Sequence, residues 1–406
     1  MIKIYQIEKA TKNDLEDIRK VLWSAFDRID PLEKFELSEW FKDFNHYYSL
    51  VIRDKGKIVS NLCVRFYEAT IRGANLTIGG IGDVATDPLY RNRGFVRELT
   101  TQAFKEMKEQ GIVVSTLHPF KMSFYEKFGY ATAETIDRYD IKAENFRELP
   151  LADGITIHEL TNPKEASILD ALQRTMSRFG SMVYFRMEEL EKLIETPNCY
   201  LIKQNGNPIA WVKFWIYRVG FAREKLATNF CAFKTNEALQ AIVHLMRVFA
   251  MEFDAISEFN YDGVPCMWEG IPNIPIQEFV KDRFALKVQR VGGFMLRVID
   301  FQKYCELIKI PANVEKTVVI EINDRFCDWN SGIWKLTPKN GKLVTTKTND
   351  KPEISIDDLM LSRIISGLTP AKTLLAVGLI HCSQETAKNL EAIFPQEYFY
   401  VWNRDL

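Results

Sequence analysis

Asp87–Met107 reads DPLYRNRGFVRELTTQAFKEM, and the order of residue types in it decides the fold. An apolar strand at 81–86 runs into Asp87-Pro88, where the proline disfavours helix at the residue before it. Beyond Gly94 the pattern turns helical: Val96, Leu99, Ala103 and Met107 recur at spacings of 3, 4 and 4, which is one apolar stripe. Strand, turn and helix are therefore joined at Gly94. A helix starting there leaves consecutive N–H groups from Asn92 to Val96 without intrahelical carbonyls, and a pyrophosphate can accept from several of them at once. Gly94 keeps a Cβ out of the ligand's path, and Arg91 and Arg93 add positive charge. The plainer alternative is a charged turn at the start of a surface helix.

Just upstream, GIGDVA at 80–85 fits a dinucleotide fingerprint, G-x-G-x-x-G/A, through Gly80, Gly82 and Ala85. That fingerprint must open a helix, and Asp87-Pro88 falls where the helix would run. No acidic residue ends a second strand about 20 residues on, as a ribose contact would require. The Gly-rich stretch is read as strand.

Outward from this point the chain is mixed α/β, mostly antiparallel with flanking helices. A strand at 2–7, a helix at 13–26 and a helical stretch at 32–44 lead to strands at 48–54, 57–70 and 76–87. A helix at 94–110, a strand at 112–118 and a helix at 120–127 follow. Gly56 and the RGAN at 72–75 mark hairpin turns. A polar break at 143–154 precedes a similar order of elements: strand 155–159, helices 163–178 and 186–195, strands 199–204, 208–217 and 225–232, helix 235–251 and a strand near 255–260. Its counterpart of the opening stretch, FCAFKTNEALQAIVHLM, has no glycine and no arginine pair. A third segment carries strands at 293–299 and 316–322, a Trp/Gly-rich hairpin, and helices at 357–366, 370–378 and 384–393. The domains are accordingly drawn at 1–150, 151–290 and 291–406. The last residues, FPQEYFYVWNRDL, are rich in aromatics and read as packed against something rather than solvated, the plainest alternative being their own domain.

Composition narrows the function classes. The chain has 406 residues, 47% hydrophobic and 26% charged, with a net charge of -1, so no basic face for nucleic acid is expected. Seven cysteines are scattered without a C-x-x-C pair, which favours reduced thiols and a cytoplasmic location. No apolar run approaches the roughly 20 residues of a membrane span, and no export signal is read at the N-terminus. No metal site is expected.

Arg91-Asn92-Arg93-Gly94-Phe95-Val96 resembles the [RQ]-x-x-G-x-[GA] acetyl-coenzyme A loop of GNAT N-acetyltransferases, with Val96 in place of Gly/Ala. SFYEKFGY at 123–130 resembles their later YxKxGF element. Together with STLHPFKMSFYEKFGY, the degenerate second copy and the chain length, these motifs resemble the enhanced intracellular survival (Eis) family. The resemblance implies tandem GNAT folds, the second without cofactor, and a C-terminal sterol-carrier-like domain. It implies acetyl-CoA as cosubstrate, bound by Arg91–Val96 and by the main chain of Val84, Ala85 and Thr86. It also implies Tyr125 as general acid and the carboxylate of Leu406, assisted by Asp405, as base; Tyr125 is read as lying off the Phe124/Phe128 core stripe. Phe26, Trp40 and His118 are the implied acceptor contacts, and a hexamer the implied assembly. Asp27, Asp30, Glu33, Glu36 and Glu39, though suggestive of a cationic acceptor, read mainly as a solvated face.

The expected activity is acetyl transfer to an amine of a small polyamine-like or aminoglycoside-like molecule, or to a lysine, by direct attack in a ternary complex. No cysteine lies in either motif to carry an acyl group. The competing expectation is a lipid or sterol carrier working through residues 291–406.

Overall fold

The structure is a computed structural model that describes residues 5–27, 29–37, 41, 46–218, 224–256, 266–270, 276–282 and 287–402. Up to Ala133, and again from Phe294 to Glu397, the chain forms one compact unit; Glu134–Gly293 and the segment from Tyr398 form a second.

The first unit begins with β1 (Ile7–Lys9), α1 (Leu15–Phe26), β2 (Tyr47–Asp54), β3 (Lys57–Ile71), β4 (Ala74–Thr86), α2 (Phe95–Glu109), β5 (Val114–Leu117), α3 (Met122–Tyr125) and β6 (Ala131–Thr132). Lys55-Gly56 and Arg72-Gly73 close the two hairpins with both residues at positive φ, the turn that matches strand twist. Of the helix expected at 32–44, residues 38–40 and 42–45 lie outside the described residues; Leu32–Lys34 forms a single turn and 35–37 leave the helix. Arg19 donates to the carbonyls of Leu32 and Phe35, at 2.6 and 2.9 Å, taking backbone acceptors that a continuing helix would use internally.

In the second unit come β7 (Thr135–Ile141), β8 (Ile155–Glu159), α4 (Ala166–Arg174), β9 (Ser181–Val183), α5 (Met187–Glu195), β10 (Cys199–Gln204), β11 (Asn207–Arg218), β12 (Glu224–Phe233), α6 (Asn236–Ile256), β13 (Cys266–Gly270) and β14 (Lys287–Gly292). The strand expected near 255–260 lies largely outside the described residues; α6 runs to Ile256.

Back in the first unit are β15 (Met295–Val298), α7 (Phe301–Leu307), β16 (Val318–Asn323), β17 (Gly332–Lys339), β18 (Lys342–Lys347), β19 (Ile354–Asp357), α8 (Asp358–Ser366), α9 (Ala371–Ala376) and α10 (Gln384–Ile393). β20 (Phe399–Val401) returns to the second.

The first sheet runs β1-β2-β3-β4-β5-β15-β6 and the second β8-β10-β11-β12-β13-β7-β14. The two orders correspond position by position. In each, the fourth and fifth strands are parallel and the other neighbours antiparallel. The sixth strands are exchanged: β7 follows the first unit in sequence but completes the second sheet, and β15 does the reverse. Strand pairing thus changes sheets after Ala133 and before Phe294 rather than at the drawn boundaries of 150 and 290.

β15 is fixed in the first unit by Arg297, which is fully buried. Its guanidinium meets Asp324 at 2.6 Å and Asp358 at 3.4 Å and lies 4.6 Å from the Phe104 ring centroid. Removing one partner of such a buried pair typically costs about 3–5 kcal/mol, because the other charge stays buried. The remaining sheet, β18-β17-β16-β19, packs with α7–α10 around Phe301, Tyr304, Val318, Ile322 and Leu336, all without exposed surface.

The aromatic tail does not dock on its own segment. β20 pairs in parallel with β9, and Trp402, fully buried, lies 5.5 Å from Trp211 and 6.0 Å from Phe185 in the second unit's core. The contiguous apolar surface there outweighs proximity in sequence. Cys63, Cys199, Cys231, Cys305 and Cys327 are buried free thiols. Among the described residues no helix is long and apolar enough to cross a membrane.

Candidate active site

The site is built where β4 leaves β5. The two strands pair at Gly79↔Ser115 and Gly80↔Thr116 only, whereas β4 stays bonded to β3 up to Thr86. From Ile81 onward the β5-side edge of β4 pairs with no strand among the described residues, so its backbone groups are available to a ligand that adds along the edge. Ser115 sits at the fork. Its hydroxyl is 2.8 Å from the Gly79 carbonyl and 2.6 Å from the Tyr130 hydroxyl, tying β5 to β4 where they part.

A bulge shapes the same stretch. Asn61 pairs with Ala85 and Cys63 with Gly82, so Leu62 alone opposes Asp83 and Val84. Asp83 takes the left-handed conformation, φ 48°, which for a residue other than glycine costs on the order of 1 kcal/mol or more. Its carboxylate meets Arg65 at 2.6 Å, and its carbonyl accepts from the amide of Asn61. Burial pushes the Asp83 carboxyl up, against the pull of the Arg65 guanidinium. A charged residue inside an otherwise apolar Gly-rich strand was the available signal, and it was absorbed by the failed dinucleotide fingerprint.

α2 opens at the end of this strand. Gly94 precedes it with φ 84°, and a Cβ built there would meet nothing within 4 Å, so space stands open over the backbone. The first helical bond is Glu98 N–H to the Gly94 carbonyl at 3.1 Å, leaving the amides of Phe95, Val96 and Arg97 for an outside acceptor. The buried face is Phe95, Leu99, Ala103, Phe104 and Met107; Val96 is only half-buried, so the stripe starts one residue earlier than its spacing suggested. Each fully buried Leu, Phe or Met contributes about 1.5–3 kcal/mol, which anchors the helix whose first turn is exposed. The Phe95 ring packs edge-on against Tyr5 at 4.7 Å, so this residue can offer a ligand only its main chain.

Arg91, Asn92 and Arg93 are exposed, Asn92 with φ 63°. Arg91 reaches the Thr86 carbonyl at 3.4 Å. Arg93 lies 4.7 Å from the Tyr90 ring centroid and donates to Leu89 O and Tyr5 Oη, both at 3.2 Å. Both guanidinium groups thus have weak, exposed partners that an anion can replace. The loop fits a pyrophosphate: free amides, an unfilled space over Gly94 and two cations at one helix N-terminus.

Tyr125 is buried, contrary to its reading as lying off the core stripe. The helix after Lys121 is a single turn followed by a 3-10 turn, so a 3.6-residue wheel does not describe its faces. Its ring meets Phe120, Phe124 and Tyr130 edge-on at 5.6, 5.1 and 6.2 Å. Among the described residues its hydroxyl has no hydrogen-bond partner, and burial pushes the phenol up to about 12. His118 follows β5, exposed, with its ring 5.0 Å from Phe294. Phe26 ends α1 and is 59% exposed, so it is free to line a ligand. Trp40, Asp405 and Leu406 lie outside the described residues.

A sheet that forks between its fourth and fifth strands, with a glycine-opened helix beside the fork, defines an acetyltransferase domain of the GNAT type. Residues 6–133 match the acetyltransferase (GNAT) domain family and residues 301–402 the sterol carrier protein domain family. The chain is a GNAT N-acetyltransferase with a C-terminal sterol-carrier-like domain, in an Eis-like architecture. It is 20% identical over 328 residues to an uncharacterized N-acetyltransferase of Streptomyces avermitilis, covering 76% of each chain. Its fold is shared by a probable N-acyltransferase of Enterococcus faecalis (TM-score 0.81, 20% identity, 98% of this chain and 100% of that one). Eis1 of Mycobacterium abscessus shares it as well (TM-score 0.77, 17% identity, 99% and 100%).

Proposed function

We propose that this chain transfers acetyl from acetyl-CoA to an amine of a small polyamine-like or aminoglycoside-like molecule, or to a lysine, by direct attack in a ternary complex. The observation that carries the reading is the open edge of β4 running into the free amides of α2. Val84, Ala85 and Thr86 would hold the pantetheine arm through their main chain. Arg91–Val96 would hold the pyrophosphate, with Arg91 and Arg93 turning from Thr86, Leu89 and Tyr5 to the anion.

Tyr125 supplies a proton to the departing thiolate. A phenol held near 12 stays protonated across the working range, so the donor is always loaded. A free thiolate, with a pKa of about 8.5 in water, takes that proton only in a site that also disfavours its own charge. The aromatic surroundings of Tyr125 provide such a site. The amine's proton goes to the carboxylate assigned by resemblance to Leu406, acting through water, with Asp405 beside it. Phe26, Trp40 and His118 would line the acceptor side, and the assembly by resemblance is a hexamer in the cytoplasm.

The acetyltransferase (GNAT) domain match over residues 6–133, with the donor-loop geometry above, favours the enzyme over the lipid carrier. Acetyl-CoA turnover against a panel of amines tests the reading, with Leu406 deleted in a parallel sample. Failure of the intact chain to bind acetyl-CoA rejects it, and undiminished turnover without Leu406 removes that carboxylate from the mechanism.

A further inference from the structure

Asp83 is more than the corner of a bulge. Glycine is the residue that suits its left-handed backbone, yet a carboxylate stands there, on the face of the sheet that α1 covers. Its partner Arg65 is two residues from Cys63, which packs with Ile18 and Val21 of α1, whereas α2 covers the opposite face with Leu99 and Met107. A donor laid along the β4 edge toward α2 leaves the α1 face as the acceptor's approach.

Two acceptor atoms there lack donors among the described residues. Arg65 takes Asp83 Oδ2, and the Asp83 side chain remains 21% exposed with no donor to Oδ1 among the described residues. Next to it Asn61, fully buried, gives its amide N–H to the Asp83 carbonyl and leaves its own Oδ1 unpartnered. The Asn61 oxygen is closed to a ligand, so a molecule reaching this corner meets the part-exposed Asp83 carboxylate, which suits N–H donors carrying positive charge, as an ammonium does.

We propose that Asp83 is the acceptor-recognition residue, its outward oxygen binding an ammonium of a multiply charged, polyamine-like substrate, with Asn61 beside it. The inference rests on the acetyltransferase reading and narrows its substrate class.

The test uses the full chain with Asp83→Asn and Asp83→Gly. Glycine suits the φ of 48°, which offsets only part of the cost of leaving the buried Arg65 guanidinium without its carboxylate, so both variants are expected to melt below the parent and are compared at a temperature where acetyl-CoA binding shows them folded. Acetyl-CoA affinity should stay within about twofold, while calorimetric titration of spermidine into the CoA-loaded protein should weaken at least about tenfold in both variants, roughly one binding decade. In turnover, KM for spermidine should rise about tenfold with kcat within about threefold, and KM for an aromatic amine that is neutral at pH 7 should not move. Unchanged spermidine affinity in Asp83→Gly, or equal shifts for the two amines, overturns the assignment. A parent protein that binds acetyl-CoA but not spermidine overturns it while leaving the donor site standing. Loss of acetyl-CoA binding by the parent itself would remove the acetyltransferase reading.

Discussion

The junctions Thr86–Phe95 and Phe233–Asn236 stand at equivalent places in two sheets of the same strand order, yet they terminate differently. In the first, the helix opens through a left-handed glycine and its amides face open space. In the second, the Thr235 hydroxyl accepts from the Ala238 amide at 3.2 Å, so the helix caps itself. A helix N-terminus becomes a binding site only if the chain declines to satisfy it. One threonine occupies an amide in the second copy that the first leaves open.

The contrast can be broken by substitution. Tyr125→Phe should lower kcat by about 100-fold, in line with the loss of a general acid, while calorimetry shows acetyl-CoA binding unchanged. An unaltered kcat would remove the hydroxyl from the chemistry. Gly94→Val puts a side chain at φ 84° and into the open space. It should raise KM for acetyl-CoA more than about tenfold and cost about 1–2 kcal/mol in denaturant unfolding. The mirror change, Thr235→Ala, should cost about 1 kcal/mol without touching acetyl-CoA affinity. Arg91→Ala and Arg93→Ala should each raise KM for acetyl-CoA severalfold, more at low salt. Their melting temperatures should stay close to the parent's, since exposed arginines contribute within about 0.5 kcal/mol.

The smallest expected effect concerns pH. The Tyr125 phenol is raised from its usual value of about 10 to about 12 in the folded chain, so the folded state holds its proton where the unfolded state has lost it. Its contribution to stability is complete below pH 10 and is lost as pH rises through 12. Tyr125→Phe should flatten that alkaline decline in a series of melting curves; a parallel decline in both proteins would show that the phenol is not held up.

Much of this was readable from residue order. β3, β4 and α2 announce themselves through alternation and a 3.6-residue stripe, and β8 and α10 lie at the residues that periodicity assigns. Residues 35–37 leave the expected helix because Arg19, on another element, takes the carbonyls of Leu32 and Phe35. Tyr125 was misplaced because a single turn has no face to extrapolate. The exchange of β7 and β15 leaves no local trace, since the partners that place each strand, such as Asp324 and Asp358 around Arg297, lie far along the chain. Asp83 was visible as a letter, but its meaning depends on Arg65 and Asn61, neighbours that only strand register brings together.

That exchange sets a schedule for the ribosome. The first sheet has a gap between β5 and β6 that Met295–Val298 fill, and those residues are made only after Glu134–Gly293. Domains generally fold as they emerge, N-terminal first. Here the acetyltransferase sheet must instead wait, its unpaired β5 edge open to any other strand, until some three-quarters of the chain has been synthesised. A fragment ending at residue 150 therefore carries every donor-site motif and still lacks the strand that seals it.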